Sequence, residues 1–168
     1  MKKYLFLLLC TLFSLTSIAQ EQHEETTTYY LIRHAEKQRT NPTDKDPSLT
    51  FTGLKRADLW ADVLSKANIN FVYTTDYNRT KETALPTAQK YGLSMYVYNP
   101  AKMYDDGFKY NTKGKNVLIV GHSNTTPAFV NKIIGYNKYQ QIPDDINGNL
   151  YIVTVTKTGA TSVLLKMN

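Results

Sequence analysis

Arg33 and His34 are the residues best placed to do chemistry, because they follow directly on the apolar run Tyr29-Tyr30-Leu31-Ile32. Such a run reads as a buried strand. A buried strand that stops on a guanidinium and an imidazole delivers both to a strand end, where ligands sit in open α/β sheets. Val117-Leu118-Ile119-Val120 is a second buried strand, and it runs into Gly121-His122. A third, Phe71 to Thr74, is followed by a helix start that carries Arg79. In a parallel sheet these three ends share one edge, so His34, His122, Arg33 and Arg79 converge there. Two guanidinium forks match the oxygens of a phosphoryl group, and the helix terminus beside Arg79 adds partial positive charge, offset in part by Asp76 as its cap. Carboxylate or sulfate would use fewer of these donors. Cationic neighbours disfavour protonation of either imidazole, and a neutral imidazole has the lone pair to attack phosphorus. The reading is that His34 attacks and Arg33 holds the phosphate, while His122 donates to the phosphoryl oxygens from the other side. A metal is the competing use of two histidines. The set lacks a third histidine ligand and a cysteine, and its arginines would repel a cation.

The elements that must position these groups read in order. After the strand from Thr28 to His34, the segment 36–48 carries two turn clusters, Asn41-Pro42-Thr43-Asp44 and Asp46-Pro47-Ser48. A helix opens at Leu49-Thr50-Phe51-Thr52-Gly53 with Thr50 or Thr52 as its cap, and Leu54, Ala57, Ala61 and Leu64, with Trp60 beside them, form its apolar face. After the strand 70–74, Asp76 is predicted to cap a helix starting at Tyr77 that Pro86 should kink or divide. Leu93 to Tyr98 is a third strand, and the tyrosine- and lysine-rich segment 99–115 reads as a loop over the top of the molecule. Thr126-Pro127 starts a helix that ends at Gly135. The strands 150–156 and 161–166 form a hairpin. This alternation predicts a three-layer α/β sandwich, with a mostly parallel central sheet flanked by helices and a C-terminal antiparallel hairpin.

Four segments resemble, in order, the motifs of the histidine phosphatase superfamily, which includes phosphoglycerate mutase and small phosphohistidine phosphatases. Residues 30–36 resemble its Arg-His motif, and residues 49–53 its helix-opening segment. Residues 73–84 resemble its second arginine motif, and residues 117–125 its second histidine motif. The resemblance implies a covalent phosphohistidine at His34, with Arg33, Arg79 and His122 completing the phosphate pocket, and no cofactor or metal. Asn124 is a further phosphate-binding candidate. Larger members carry a glutamate after the third strand as proton donor, whereas here that region reads Tyr96-Val97-Tyr98-Asn99-Pro100. Asp105, Asp106 and Glu36 are the candidates for the missing acid. The expected activity is hydrolysis of a phosphomonoester or phosphoramidate on a small molecule or a phosphoprotein. The alternatives are a phosphate-ester-binding member with little turnover and a phosphoglycerate-mutase-type phosphotransferase.

The 168 residues suffice for one domain, preceded by an export signal. Lys2 and Lys3 precede the apolar run from Tyr4 to Phe13, and Ser17-Ile18-Ala19 supplies small residues for cleavage. Residues 1–19 are therefore read as a secretory signal peptide and residues 20–168 as the catalytic domain of a periplasmic or secreted protein. The apolar run is short for a bilayer span, so no membrane association is expected after cleavage. Cys10 within that run lacks the small residue before it that lipoprotein attachment would favour. It is the chain's one cysteine, so the mature protein carries no disulfide. Loss of the two lysines takes the formal net charge from +6 to +4, which suits an anionic substrate without pointing to nucleic acid. His23, in the polar lead-in, is read as solvated.

Overall fold

The computed structural model describes residues 25–167. The signal segment 1–19 and His23 lie outside the described residues. The elements are β1 (Thr27–Arg33), α1 (Phe51–Val63), β2 (Phe71–Thr74), α2 (Asn78–Tyr91), β3 (Met95–Val97), a 3-10 turn (Pro100–Lys102), α3 (Asp106–Thr112), β4 (Asn116–Gly121), α4 (Thr125–Ile134), β5 (Asn149–Thr156) and β6 (Gly159–Lys166).

One six-stranded sheet has the order β3-β2-β4-β1-β5-β6. β3, β2, β4 and β1 run parallel, β5 pairs antiparallel with β1, and β6 pairs antiparallel with β5. The two-residue side-chain period of a strand sorts the core into two layers. Tyr29, Leu31, Val117, Ile119, Tyr151 and Val153 face α4, packing with Phe129, Val130 and Ile133. Ile32, Val72, Leu118, Val120 and Leu150 face α1 and α2, against Trp60, Leu64, Ala84 and Ala88. The three-layer α/β sandwich read from the sequence is the observed fold.

Four local readings are corrected. Leu54 is exposed, and Gly53 takes its place on the buried face of α1. A Cβ on Gly53 would lie 2.2 Å from the Glu36 carbonyl oxygen, so only glycine lets the helix start sit this close to the chain leaving β1. Asp76 does not cap α2, whose N-cap is Tyr77 with no side-chain cap bond; Asp76 pairs with Lys81 instead. Pro86 does not divide α2, which runs on to Tyr91 and ends on Gly92 in the left-handed region. The segment 99–115 is not all loop. It forms the 3-10 turn and α3, and Tyr104 and Phe108 pack against Tyr29 and Phe129.

Candidate active site

Parallel pairing of β1 with β4 aligns Arg33 with Gly121, so the residues that follow, His34 and His122, leave the sheet side by side. Their ring centroids lie 5.5 Å apart with the planes at 67°. The backbone at His34 is tied on three sides. Its N–H donates to Gly121 O at 2.9 Å, Asn147 Nδ2 donates to its carbonyl at 2.9 Å, and the next N–H, of Ala35, donates to Thr83 Oγ1 at 2.9 Å. The ring is oriented by its own chain, with Nδ1 lying 2.8 Å from the Ala35 carbonyl oxygen. A carbonyl only accepts, so Nδ1 carries the proton and Nε2 keeps its lone pair. Nε2 has no hydrogen-bond partner among the described residues.

Burial holds both imidazoles neutral. It pushes His34 down to about 3, aided by the Arg33 and Arg79 charges and the His122 ring and opposed by the bond to Ala35. Burial likewise pushes His122 down to about 4, with Arg79, Arg33 and Lys37 adding to the shift. The sequence reading assigned this effect to the cations alone; exclusion of water is the larger cause.

His34, His122, Arg33, Arg79 and Asn124 line one cleft of about 420 Å³. The Arg33 guanidinium is buried, and one edge is spent on the loop before β5: Nη1 donates to Pro143 O at 2.9 Å and Ile146 O at 3.0 Å, and Nη2 to the Asp144 carboxylate. Arg79 stands at the start of α2 with its guanidinium carbon 4.2 Å from the Tyr77 ring centroid and Nη1 3.4 Å from Asp46 Oδ1. The Nε–H of each arginine is buried without a partner among the described residues. A buried donor left unpaired is costly, and an anion in the cleft would take both. Asn124 is the N-cap residue of α4, and its side chain makes no cap bond.

The three candidate proton donors lie elsewhere. Asp105 caps α3 by accepting from Phe108 N, Asp106 pairs with Lys109, and Glu36 accepts from Arg56 Nε at 2.8 and 3.0 Å. None of them lines the cleft, whose one carboxylate is Asp144. Arg33 and Arg39 hold the Asp144 carboxyl below its usual range although burial opposes them. Lys37, Tyr77 and Asp144 are cleft residues that the sequence reading missed. Lys37 was within reach, since it lies three residues past His34. Asp144 was not, because nothing local ties a turn before β5 to the end of β1. Among the described residues no group of three or more His, Cys, Asp or Glu side chains is placed to hold a metal ion.

Residues 29–100 match the family model of the histidine phosphatase superfamily, branch 1. Over that span the chain resembles the histidine phosphatase superfamily. The matched span includes Arg33, His34 and Arg79, whereas His122 lies beyond it. No curated protein matches the chain by sequence. Solved structures of several phosphatases share its fold. The protein histidine phosphatase SixA in complex with tungstate superposes with a TM-score of 0.65 at 17% identity, covering 83% of this chain and 96% of that one. The alpha-ribazole phosphatase from Shigella flexneri gives 0.60 at 16% identity over 83% and 96%. A mycobacterial glucosyl-3-phosphoglycerate phosphatase in complex with VO3 gives 0.61 at 12% identity over 84% and 99%. The match over residues 29–100 and the shared fold together support a histidine-type phosphatase.

Proposed function

We propose that this histidine phosphatase works outside the cytoplasm, needs no metal, and hydrolyses a phosphoramidate more readily than a phosphomonoester through a phosphohistidine on His34. The observation that carries this reading is the unprotonated His34 Nε2 in a cleft with the unpartnered Nε–H groups of Arg33 and Arg79. A neutral lone pair attacks phosphorus, and charge on the equatorial oxygens is met by fixed guanidinium donors, which is most of what phosphoryl transfer asks of a protein. Leaving-group chemistry separates the substrates. An alkoxide needs a proton as it departs, and the cleft's one carboxylate, Asp144, is held ionised by Arg33 and Arg39. The nitrogen of a phosphoramidate is the more basic leaving atom, so it takes up a proton from a weaker donor than an alkoxide oxygen needs. The protein histidine phosphatase SixA, which shares the fold, is named for an N-phosphorylated substrate. Extracytoplasmic location rests on the sequence of residues 1–19.

The test is a rapid quench after mixing with a radiolabelled phosphoramidate. Acid-labile label should sit on His34, and His34→Ala should lose both label and turnover while melting as a folded domain. Equal labelling of the alanine variant would remove His34 from the chemistry. A kcat/KM for an alkyl phosphate equal to that for the phosphoramidate would overturn the substrate preference. A protein that binds vanadate yet fails to release p-nitrophenol would be a binding module rather than a catalyst.

A further inference from the structure

His122 is held by a chain of buried hydroxyls. Thr80 Oγ1 lies 2.8 Å from Tyr77 O and 2.9 Å from Thr75 O, and because carbonyls only accept, its single proton is committed to them. Thr75 Oγ1 lies 3.0 Å from Thr80 Oγ1, and it lies 2.8 Å from His122 Nε2. Both threonines are buried, at 1% and 0% exposure. Thr80 therefore offers Thr75 only a lone pair, and Thr75 must donate to it. Otherwise two buried oxygens would face each other with no proton between them. Having given its only proton, Thr75 can only accept from His122, which places a proton on Nε2. The other nitrogen, Nδ1, has no hydrogen-bond partner among the described residues, and it is not among the buried unpartnered atoms. Since His122 lines the cleft, Nδ1 is the nitrogen left for a ligand, and it carries a lone pair.

We propose that Thr75 is a positioning residue whose hydroxyl, anchored by Thr80, locks His122 as the Nε2–H tautomer so that Nδ1 serves as the proton carrier of the cleft. What the proton does rests on the phosphatase reading above; the tautomer does not. Binding of a phosphoryl monoanion lets its P–OH give the proton to Nδ1. As His34 Nε2 bonds to phosphorus and the P–N bond breaks, Nδ1 passes that proton to the departing nitrogen. The amine leaves neutral, and His34 is left as a phosphoimidazolium. The substrate thus brings the proton that no carboxylic acid in the cleft supplies. The charged and titratable groups around His122 are Arg33 at the end of β1, His34, Lys37 and Asp46 from the segment after it, and Tyr77 and Arg79 from the start of α2. The cations favour the neutral ring before substrate arrives, and the anionic phosphoryl group offsets them once bound.

The experiment combines ¹⁵N imidazole spectra with kinetics on the full domain. Wild-type His122 should show the Nε2–H pattern at neutral pH. Thr75→Ser should keep both pattern and rate, and Thr75→Val should lose the single tautomer and about 10²-fold in kcat. Thr75→Val should also flatten the alkaline fall of kcat/KM that follows loss of the P–OH proton. An Nδ1–H pattern in the wild type would overturn the proposal without touching phospho-His34. A valine variant with an altered tautomer and unchanged kcat would overturn the proton-carrier role. Should the valine variant fail to fold, the wild-type spectrum and the serine variant still decide.

Discussion

His34 and His122 set the acid limit of this enzyme. Both are pushed well below the ordinary imidazole value, His34 to about 3 and His122 to about 4, chiefly by burial. The free-enzyme profile of kcat/KM should therefore show no inflection near 6.5 from either ring, and should fall only below about pH 5, measured with a substrate that does not titrate there. Stability moves in the same direction for a different reason. The unfolded chain protonates these rings near 6.5 and the folded one does not, so stability is complete above 6.5 and declines as pH falls toward the folded values. A melting series against pH should show this, with a shallower decline in His34→Gln. The two arginines should separate by role. Arg33→Ala should abolish turnover and also cost about 3 kcal/mol of stability, because the carbonyls of Pro143 and Ile146 lose their buried donor. Arg79→Ala, whose one ion pair among the described residues is a 3.4 Å contact with Asp46, should lose turnover with little change in melting. The four convergent residues were legible in the sequence because each stands at or shortly after the end of a strand of known direction. The tie from Arg33 to residues 143–146 was not, since it joins positions more than a hundred apart in the chain.

Among the elements, the start of α1 governs how the chain after His34 is held. Thr50 Oγ1 caps the helix by accepting from Gly53 N at 3.0 Å, and Thr50 N donates to Glu36 O at 2.8 Å. Thr50→Ala should cost about 1 kcal/mol as a lost cap. Gly53→Ala should cost about 1–3 kcal/mol, because the added methyl meets backbone rather than a movable side chain; thermal melts check both, and a rise in KM would report displacement of the Arg33-His34 segment. Glycine and threonine at a helix start are local signals, so this junction was largely readable. The helix α3 was not. Its seven residues are too few to show an amphipathic period, and its packing depends on Tyr29, Phe129 and Tyr73, all from other elements. Pro86 does not divide α2, because the buried residues Thr83, Ala84, Thr87 and Ala88 on either side of it keep the helix continuous.

Taken whole, the molecule is one six-stranded sheet whose four parallel strands deliver the cleft residues Arg33, His34 and His122 and whose hairpin β5-β6 closes the far edge. Intact mass of the protein recovered from the culture or periplasm should begin at or near Gln20, and its melting temperature should then be unaffected by reductant, because Cys10 leaves with the signal. Turnover should be unchanged by a strong chelator, as expected of a cationic cleft without a ligand cluster among the described residues. The layered architecture was legible from strand and helix alternation; the cleft's rim was not, because it is made by loops whose paths no local pattern fixes. The grip of Arg33 on residues 143–146 has one more consequence. The same guanidinium would hold the bound oxyanion through Nε and the segment entering β5 through Nη1 and Nη2. Filling the cleft with tungstate should therefore slow amide hydrogen exchange along residues 144–149, giving an occupancy reporter that needs neither a chromogenic product nor a labelled substrate.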